Sequence, residues 1–202
     1  MKVFRKIIVG VLGVIIMSDA SALAAQPYFH AGIGPSFIQD NTITTTGSRE
    51  SFDAGVRLDV AVGVDFDEHW AAEFETGLIA NRLNAINGVS VSPREIDFYQ
   101  VPLLANVIYR IPTGTRWFPY VGIGCGGVST SVDATLPDFN ASDFTFAYQV
   151  KAGVEFDLAP NMLLDFGYKF LGSQDHKFDD GGATRTKEFY THALMVSYTW
   201  QF

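Results

Sequence analysis

The sequence Tyr-Thr-His-Ala-Leu-Met-Val-Ser-Tyr-Thr-Trp-Gln-Phe, residues 190–202, decides the fold of this chain. Every second side chain from Tyr190 to Phe202 is bulky and apolar, with His192 as the exception. A period of two belongs to a β-strand and not to a helix. In water such a strand would be an edge prone to aggregation, whereas in a bilayer it can be one strand of a closed sheet whose apolar face meets lipid. The segment therefore predicts a membrane-embedded strand.

Seven further segments carry the same alternation. The clearest is 52–66, in which all eight alternate positions from Phe52 to Phe66 are apolar, and 144–158 repeats it. Both exceed the roughly 9–11 residues that a tilted strand needs to cross a bilayer. The eight predicted strands are 28–39, 52–66, 70–83, 97–111, 118–130, 144–158, 162–171 and 189–202.

The connections between these strands alternate in length. Three are short turns, at 67–69, 112–117 and 159–161. Four are long and polar, at 40–51, 84–96, 131–143 and 172–188. Short turns on one side and long loops on the other are typical of bacterial outer-membrane barrels. We therefore predict an all-β fold, an eight-stranded antiparallel up-and-down transmembrane β-barrel.

The first 24 residues have the pattern of an export signal. A basic start is followed by an apolar core at 7–17 and by the small-x-small sequence Ala22-Leu23-Ala24. The core of 11 residues is far shorter than the roughly 20 that a membrane-spanning helix needs. We predict cleavage after Ala24, with Ala22 as the alternative, which divides the chain into a signal peptide, 1–24, and a barrel domain, 25–202. The expected location is the outer membrane of a Gram-negative cell.

The charge of the mature chain excludes some partners. Removing residues 1–24 lowers Lys plus Arg from 14 to 11 and Asp plus Glu from 22 to 21, a net charge of −10. That balance argues against binding to nucleic acid. The single cysteine, Cys125, cannot form an internal disulfide and is predicted to face lipid.

Charged residues at the inward-facing positions form the main candidate site. An eight-stranded barrel is just wide enough for side chains to fill it, so these groups are expected to meet in ion pairs and hydrogen bonds. We interpret them as a structural plug, with a gated ion path as the alternative. They are Arg57, Asp59, Glu73, Glu75, Lys151, Glu155, Asp165 and Lys169.

No catalytic, cofactor or metal site is predicted. Gly122-x-Gly124-x-x-Gly127 matches a dinucleotide fingerprint, but that motif needs a following helix, and 128–138 has no helical pattern. His192, Ser197 and Glu188 could suggest hydrolytic chemistry, yet the alternation directs His192 to lipid and Ser197 to the lumen. No pair of histidines has metal-ligand spacing.

The chain resembles the small outer-membrane β-barrel proteins of the OmpA-like and OmpX-like kind. The resemblance covers 25–202 and is carried by the alternating strands, by Pro119-Tyr120-Val121-Gly122-Ile123-Gly124 and by the terminal strand. It implies that Tyr198, Trp200 and Phe202 form the signal read by the outer-membrane assembly machinery. Periplasmic chaperones, outer-membrane lipid and lipopolysaccharide are the other implied partners. Nothing follows Phe202, so the peptidoglycan-binding domain of OmpA-type proteins is not expected.

These observations together predict a monomeric outer-membrane barrel with a structural or surface role. Any specific binding is expected in the four long connections. A small-solute or ion channel of the porin type is the alternative, and an enzyme that modifies lipid A comes after it.

Overall fold

A computed structural model describes residues 25–39, 41–42, 49–52, 54–86, 89–90, 96–134, 139–179 and 184–202. These residues form eight long strands and three short ones, and the short ones are Asn41–Thr42, Arg49–Phe52 and Val89–Ser90. Among the described residues there is no helix with the length and apolar character that crossing a membrane requires. The long strands are β1 Gln26–Ile38, β2 Gly55–Asp65, β3 Trp70–Ile86, β4 Ile96–Arg110, β5 Trp117–Ala134, β6 Phe139–Ala159, β7 Met162–Asp179 and β8 Thr184–Gln201.

The eight long strands close into an antiparallel barrel. Each pairs with its neighbour in the chain, from β1 with β2 to β7 with β8. The first and last strands pair with each other, with Tyr28 opposite Gln201 and Gly32 opposite Ser197. We call this β1–β8 contact the closing seam. Closure leaves no unpaired sheet edge in the bilayer, and it confirms the predicted eight-stranded fold.

Alternate residues of the same strand face lipid and lumen. On β2, Val56, Leu58 and Val60 are exposed, whereas Arg57 and Asp59 are buried. A strand places successive side chains on opposite faces, so the apolar set meets hydrocarbon and the polar set fills the interior. Cys125 is exposed on the outer face of β5, as predicted.

The strands extend further than the sequence pattern predicts. β5 and β6 remain paired through Ser131 and Ser142, and β7 and β8 remain paired to Asp179 and Thr184, so both enter the segments predicted as loops at 131–143 and 172–188. These segments are polar and lack apolar alternation, so the sequence pattern does not mark them as strand. The predicted strand 52–66 is also interrupted, because Ala54 lies outside both Arg49–Phe52 and β2.

Short turns define one end of the barrel, and this is the end that would face the periplasm in an outer-membrane barrel. In the β2–β3 turn, the Oδ1 atom of Asp67 accepts hydrogen bonds from the backbone N–H groups of His69 and Trp70, each at 2.7 Å. These two bonds hold the pKa of the fully exposed Asp67 carboxyl below its ordinary value. The β6–β7 turn places Asn161 at φ 64°, a left-handed conformation that asparagine tolerates better than most residues.

Candidate functional site

The lumen is filled in layers that can be followed along one strand. On β4 the inward residues are, in order toward the periplasmic end, Leu104, Asn106, Ile108 and Arg110. They belong to an apolar layer, a polar layer, a second apolar layer and a polar group at the mouth. Alternate residues of one strand therefore contribute to successive layers of the lumen, and these layers differ in chemistry.

The polar layer at the centre holds three cations and three carboxylates. Each of these side chains is at most 3% exposed, and their charges balance. We call this group the central layer, and it contains Arg57, Lys151, Lys169, Asp59, Glu73 and Glu75.

Glu75 is the hub of the central layer. Its carboxylate accepts from Arg57 Nη2 at 2.7 Å and from Lys169 Nζ at 3.0 Å. Gln149 Nε2 donates to both of its oxygens at 3.2 Å. Lys169 Nζ also donates to Asp59 Oδ2 at 2.7 Å, so the ion pairs join β2, β3 and β7. Charge-assisted bonds of this kind are the strong ones in a poorly solvated space.

Lys151 connects the other side of the barrel to the same layer. Its Nζ atom donates to Glu73 Oε1 and lies 3.9 Å from Glu75 Oε2. Glu73 also accepts from the Tyr28 hydroxyl at 3.0 Å and from Asn106 Nδ2 at 3.0 Å. Glu73 therefore has three hydrogen-bond donors around it, which compensates for its burial.

Apolar layers lie on both sides of the central layer. On the side of the long connections, five fully buried side chains form the cluster Ile79, Leu104, Val128, Ala147 and Leu171. On the periplasmic side a second cluster contains Tyr28, Ala71, Ile108 and Tyr120. Because these clusters exclude water from the bore, the central ion pairs are shielded from solvent at both ends.

The periplasmic mouth has an ion-pair cluster of its own. Arg110 Nε donates to Glu155 Oε2 at 2.6 Å, Arg110 Nη1 donates to Asp65 Oδ1, and Gln201 Nε2 donates to Asp65 Oδ2 at 2.8 Å. We call Arg110, Asp65 and Glu155 the mouth cluster. These residues line a cavity of about 490 Å³ that is open to solvent at this end, so they are within reach of water.

The structure divides the eight charged residues predicted from sequence. Six of them meet in the central layer, whereas Glu155 lies in the mouth cluster. Asp165 has no ion pair in the described part of the chain, and its Oδ2 atom accepts from the Tyr120 hydroxyl at 3.2 Å. Sequence reasoning missed Arg110 as a member, although it stands next to outward-facing Tyr109 and the alternation places it in the lumen.

Gly122 and Gly124 of β5 make room for side chains of the adjacent strands. A Cβ atom at Gly124 would lie 1.8 Å from Oδ1 of Asn106, its register partner on β4. At Gly122 the nearest atom would be Cγ of Lys151 on β6, at 2.9 Å. The fingerprint spacing lies wholly within a strand, so the geometry that the dinucleotide motif needs is not present there.

The histidine and serine considered for catalysis lie on opposite faces of the wall. His192 Nδ1 is 2.6 Å from the Tyr168 hydroxyl on the lipid side, whereas Ser197 is buried in the lumen. The side chain of Glu188 lies outside the described residues. Within the residues that the structure describes, no cluster of three or more His, Cys, Asp or Glu could hold a metal ion.

The terminal strand presents its aromatic side chains to lipid and its backbone to the closing seam. Trp200 and Phe202 are exposed on the outer face, with ring centroids 6.3 Å apart, and Tyr198 is half-buried on the same face. The backbone N–H of Phe202 donates to the carbonyl of Pro27 at 2.9 Å. The last residue therefore adds one hydrogen bond to the contact with β1.

One family model matches almost the whole chain. It is described as an outer membrane protein beta-barrel domain, and it covers residues 9–202. No curated protein matches the chain by sequence.

Solved structures share the fold at low sequence identity. Neisserial surface protein A superposes with a TM-score of 0.62 at 17% identity, covering 89% of this chain and 100% of that chain. OprG from Pseudomonas aeruginosa has a TM-score of 0.54 at 13% identity, covering 88% of this chain and 94% of that chain. Ail, the attachment invasion locus protein of Yersinia pestis, has a TM-score of 0.51 at 16% identity, covering 89% and 100%. At these identities the likeness extends to the fold alone.

Proposed function

This chain belongs to the outer membrane protein beta-barrel domain family, and from that premise we propose a structural and surface role for a monomer with a closed lumen. The barrel is an integral outer-membrane protein, and its proposed task is to hold four long connections at the cell surface. Any specific binding is assigned to these connections, 40–51, 84–96, 131–143 and 172–188.

The filled lumen is the observation that carries this proposal. Three cations and three carboxylates form ion pairs with one another in the central layer. The cluster of Ile79, Leu104, Val128, Ala147 and Leu171 lies across the bore beyond them. An ion entering from the periplasmic cavity would have to cross the apolar cluster that contains Ile108, break buried ion pairs and then cross the second apolar layer. All three steps are unfavourable, which supports a plug and argues against a pore.

Conductance separates this proposal from the channel alternative. Purified protein in a planar lipid bilayer is expected to show no steady current in 1 M KCl. Leu104→Ala combined with Lys151→Ala removes one apolar and one charged obstruction, and serves as a positive control for a leak. Large, stable conductance of the unmodified protein would contradict the closed lumen and favour the channel.

The lipid-facing side chains of the barrel support our proposal that lipid and lipopolysaccharide are its partners. A group of aromatic side chains on β6, β7 and β8 lies several residues further from the periplasmic end than Trp200. It contains Tyr148, Tyr168, Phe170, Tyr190 and His192. Aromatic side chains favour the boundary between hydrocarbon and headgroups, and the Tyr168–His192 pair adds polar atoms there. We assign this group to the outer boundary, where lipopolysaccharide is the lipid.

Export and assembly complete the proposal. The signal peptide, 1–24, directs the chain through the inner membrane and is removed after Ala24. Periplasmic chaperones then carry the barrel to the assembly machinery, which reads Tyr198, Trp200 and Phe202.

Deletion of Phe202 tests the assembly signal. The deletion should sharply reduce the folded, heat-modifiable form in the outer membrane, because both the signal and the bond to Pro27 are lost. Phe66→Ala is the matched control, since it removes an exposed aromatic ring that is not at the terminus. Normal membrane levels after the deletion would contradict the assignment.

We further propose that the barrel has no catalytic activity. The support is geometric, because His192 and Ser197 lie on opposite sides of the wall. The mass profile of lipid A from cells with and without the protein is expected to be the same. A new acylation or deacylation product that depends on the protein would contradict this.

A further inference from the structure

A polar pair lies on the outer face of the barrel among apolar side chains. Nδ1 of His192 on β8 and the hydroxyl of Tyr168 on β7 are 2.6 Å apart, and both side chains are on the lipid side. In register, His192 stands opposite Phe170 on β7 and Phe37 on β1, while Tyr168 stands opposite Leu194. These three neighbours have hydrocarbon side chains, which cannot accept a hydrogen bond.

The bond within the pair leaves one donor for the lipid. A neutral imidazole has one N–H group and a tyrosine has one O–H group. The bond between the two rings uses one of these protons, whichever residue donates. The other proton, on His192 Nε2 or on the Tyr168 oxygen, stays on the lipid face. An unpaired donor is costly in hydrocarbon, so the pair requires an acceptor from the lipid.

The position of the pair along β8 places it at a boundary of the bilayer. From His192 to Phe202, which lies at the periplasmic end, the chain advances by ten residues. At about 3.3 Å per residue and a tilt of roughly 40°, this is about 25 Å along the membrane normal. The apolar band of such barrels has about this height, so the pair can reach the carbonyl groups of the acyl chains.

Aromatic rings of β6, β7 and β8 form a continuous surface beside the pair. Tyr148 packs over Gly172 of β7, where a Cβ atom would lie 2.4 Å from the tyrosine Cζ. The ring centroid of Phe170 is 6.1 Å from that of Tyr148, 5.9 Å from that of Tyr190 and 5.2 Å from that of His192. The electron-rich faces of such rings attract the C–H groups of sugars. Lipid A, the lipid anchor of lipopolysaccharide, has sugar rings next to its acyl carbonyl groups, whereas a phospholipid such as phosphatidylethanolamine has none.

We propose that these side chains form a binding site for lipid A, in which the His192–Tyr168 pair donates one hydrogen bond to an acyl carbonyl oxygen. The sugar lies against the rings of Phe170 and Tyr190, and the acyl chain follows Leu194 toward the middle of the bilayer. The site rests on the proposed function, because it requires the outer boundary to be at this end of the barrel.

Lipid binding by the refolded protein tests the site. Native mass spectrometry in detergent compares titrations with purified lipid A and with dimyristoyl phosphatidylethanolamine. The double variant Tyr168→Phe, His192→Phe keeps two rings and removes both donors. It should bind lipid A roughly two- to tenfold more weakly, which is the effect of one lost hydrogen bond. The matched control Tyr198→Phe, Trp200→Phe removes two donors from the lipid face nearer the periplasmic end of the same strand, and should bind lipid A as the unmodified protein does.

The possible outcomes separate the site from the proposed function. Equal affinity of the double variant and the control for lipid A would overturn the site and leave lipopolysaccharide as a general partner. Phosphatidylethanolamine that binds as tightly as lipid A, with the same loss in the double variant, would overturn the choice of lipid A. No binding of lipid A to the unmodified protein would contradict lipopolysaccharide as a partner.

A second measurement applies if the double variant does not fold. Unmodified protein with labelled histidine is placed in bilayers that contain lipid A with ¹³C at its acyl carbonyl groups. Solid-state NMR should show magnetisation transfer from these carbonyl groups to the ring of His192. Absence of this transfer would overturn the site.

Discussion

The central layer and the mouth cluster contain the same kinds of ion pair in different surroundings. In the central layer, Lys151 and Glu73 lie between two apolar clusters. At the mouth, Arg110 binds Asp65 and Glu155 beside a cavity that is open to solvent. We therefore expect access to water, and not the residue types, to set the free-energy cost of breaking a pair. A stranded carboxylate can be hydrated at the mouth but not at the centre.

The largest expected effect comes from Lys151→Ala. It leaves Glu73 charged and without its cation in a dry layer, and should lower the free energy of unfolding by roughly 3–5 kcal/mol. Urea titration of the barrel in lipid vesicles, followed by tryptophan fluorescence, measures the change. In the double variant Lys151→Met, Glu73→Gln both charges are removed while an acceptor remains for Tyr28, so part of the loss should be recovered. An inert Lys151→Ala would mean that the central layer is wet.

Leu104→Ala tests the apolar layer that shields the central pairs. The side chain is fully buried, so truncation should leave a cavity and cost roughly 2–4 kcal/mol in the same titration. Leu194→Ala is the control, because Leu194 faces lipid, which can fill the space left by the methyl groups. Equal losses for the two variants would contradict the idea of a packed lumen.

Arg110→Ala should have a smaller effect than Lys151→Ala. Asp65 and Glu155 lose their cation, but water in the mouth cavity can solvate them, so the expected cost is about 1–2 kcal/mol. The loss should also shrink as salt is raised, because ions can screen the two carboxylates. A cost as large as that of Lys151→Ala, and independent of salt, would show that the mouth is as dry as the centre.

The smallest effect belongs to Asp67, which lies beyond the mouth cluster in solvent. Backbone N–H groups of His69 and Trp70 lower the pKa of its carboxyl. A lowered folded-state pKa means that the turn is stabilised above the ordinary pKa of Asp, and that this contribution is lost as pH falls through the folded value. NMR titration of the Asp67 carboxyl carbon should give a midpoint below the ordinary aspartate value of 3.8. A midpoint at the ordinary value would contradict the two turn bonds.

Several features of the molecule could be read from sequence. The apolar alternation of residues 190–202 and 52–66 predicted strands, their number and the closed barrel, because in a bilayer the lipid face must be apolar on every strand. The same alternation predicted that Asp59 and Lys169 face the lumen. It would also have placed Arg110 there, but Arg110 was not among the predicted lumen residues.

Other features depended on tertiary structure. The ends of β5, to Ala134, and of β7, to Asp179, lie in polar segments without apolar alternation, so the sequence pattern does not mark them as strand. The alternation also predicts only which face of the sheet a side chain lies on, and not its height along the bore.

The eight strands, the closed topology and the sorting of polar and apolar side chains follow from the amino-acid sequence, because they depend only on the period of the strand and on the need to satisfy every backbone group in lipid. The pairing of the charges, in contrast, depends on how the folded strands are arranged. Shear between strands brings Lys151 of β6 to Glu73 of β3 and brings Arg110 of β4 to Asp65 of β2, across gaps of 78 and 45 residues. Such pairings depend on the stagger of all the strands together, and no local pattern records it.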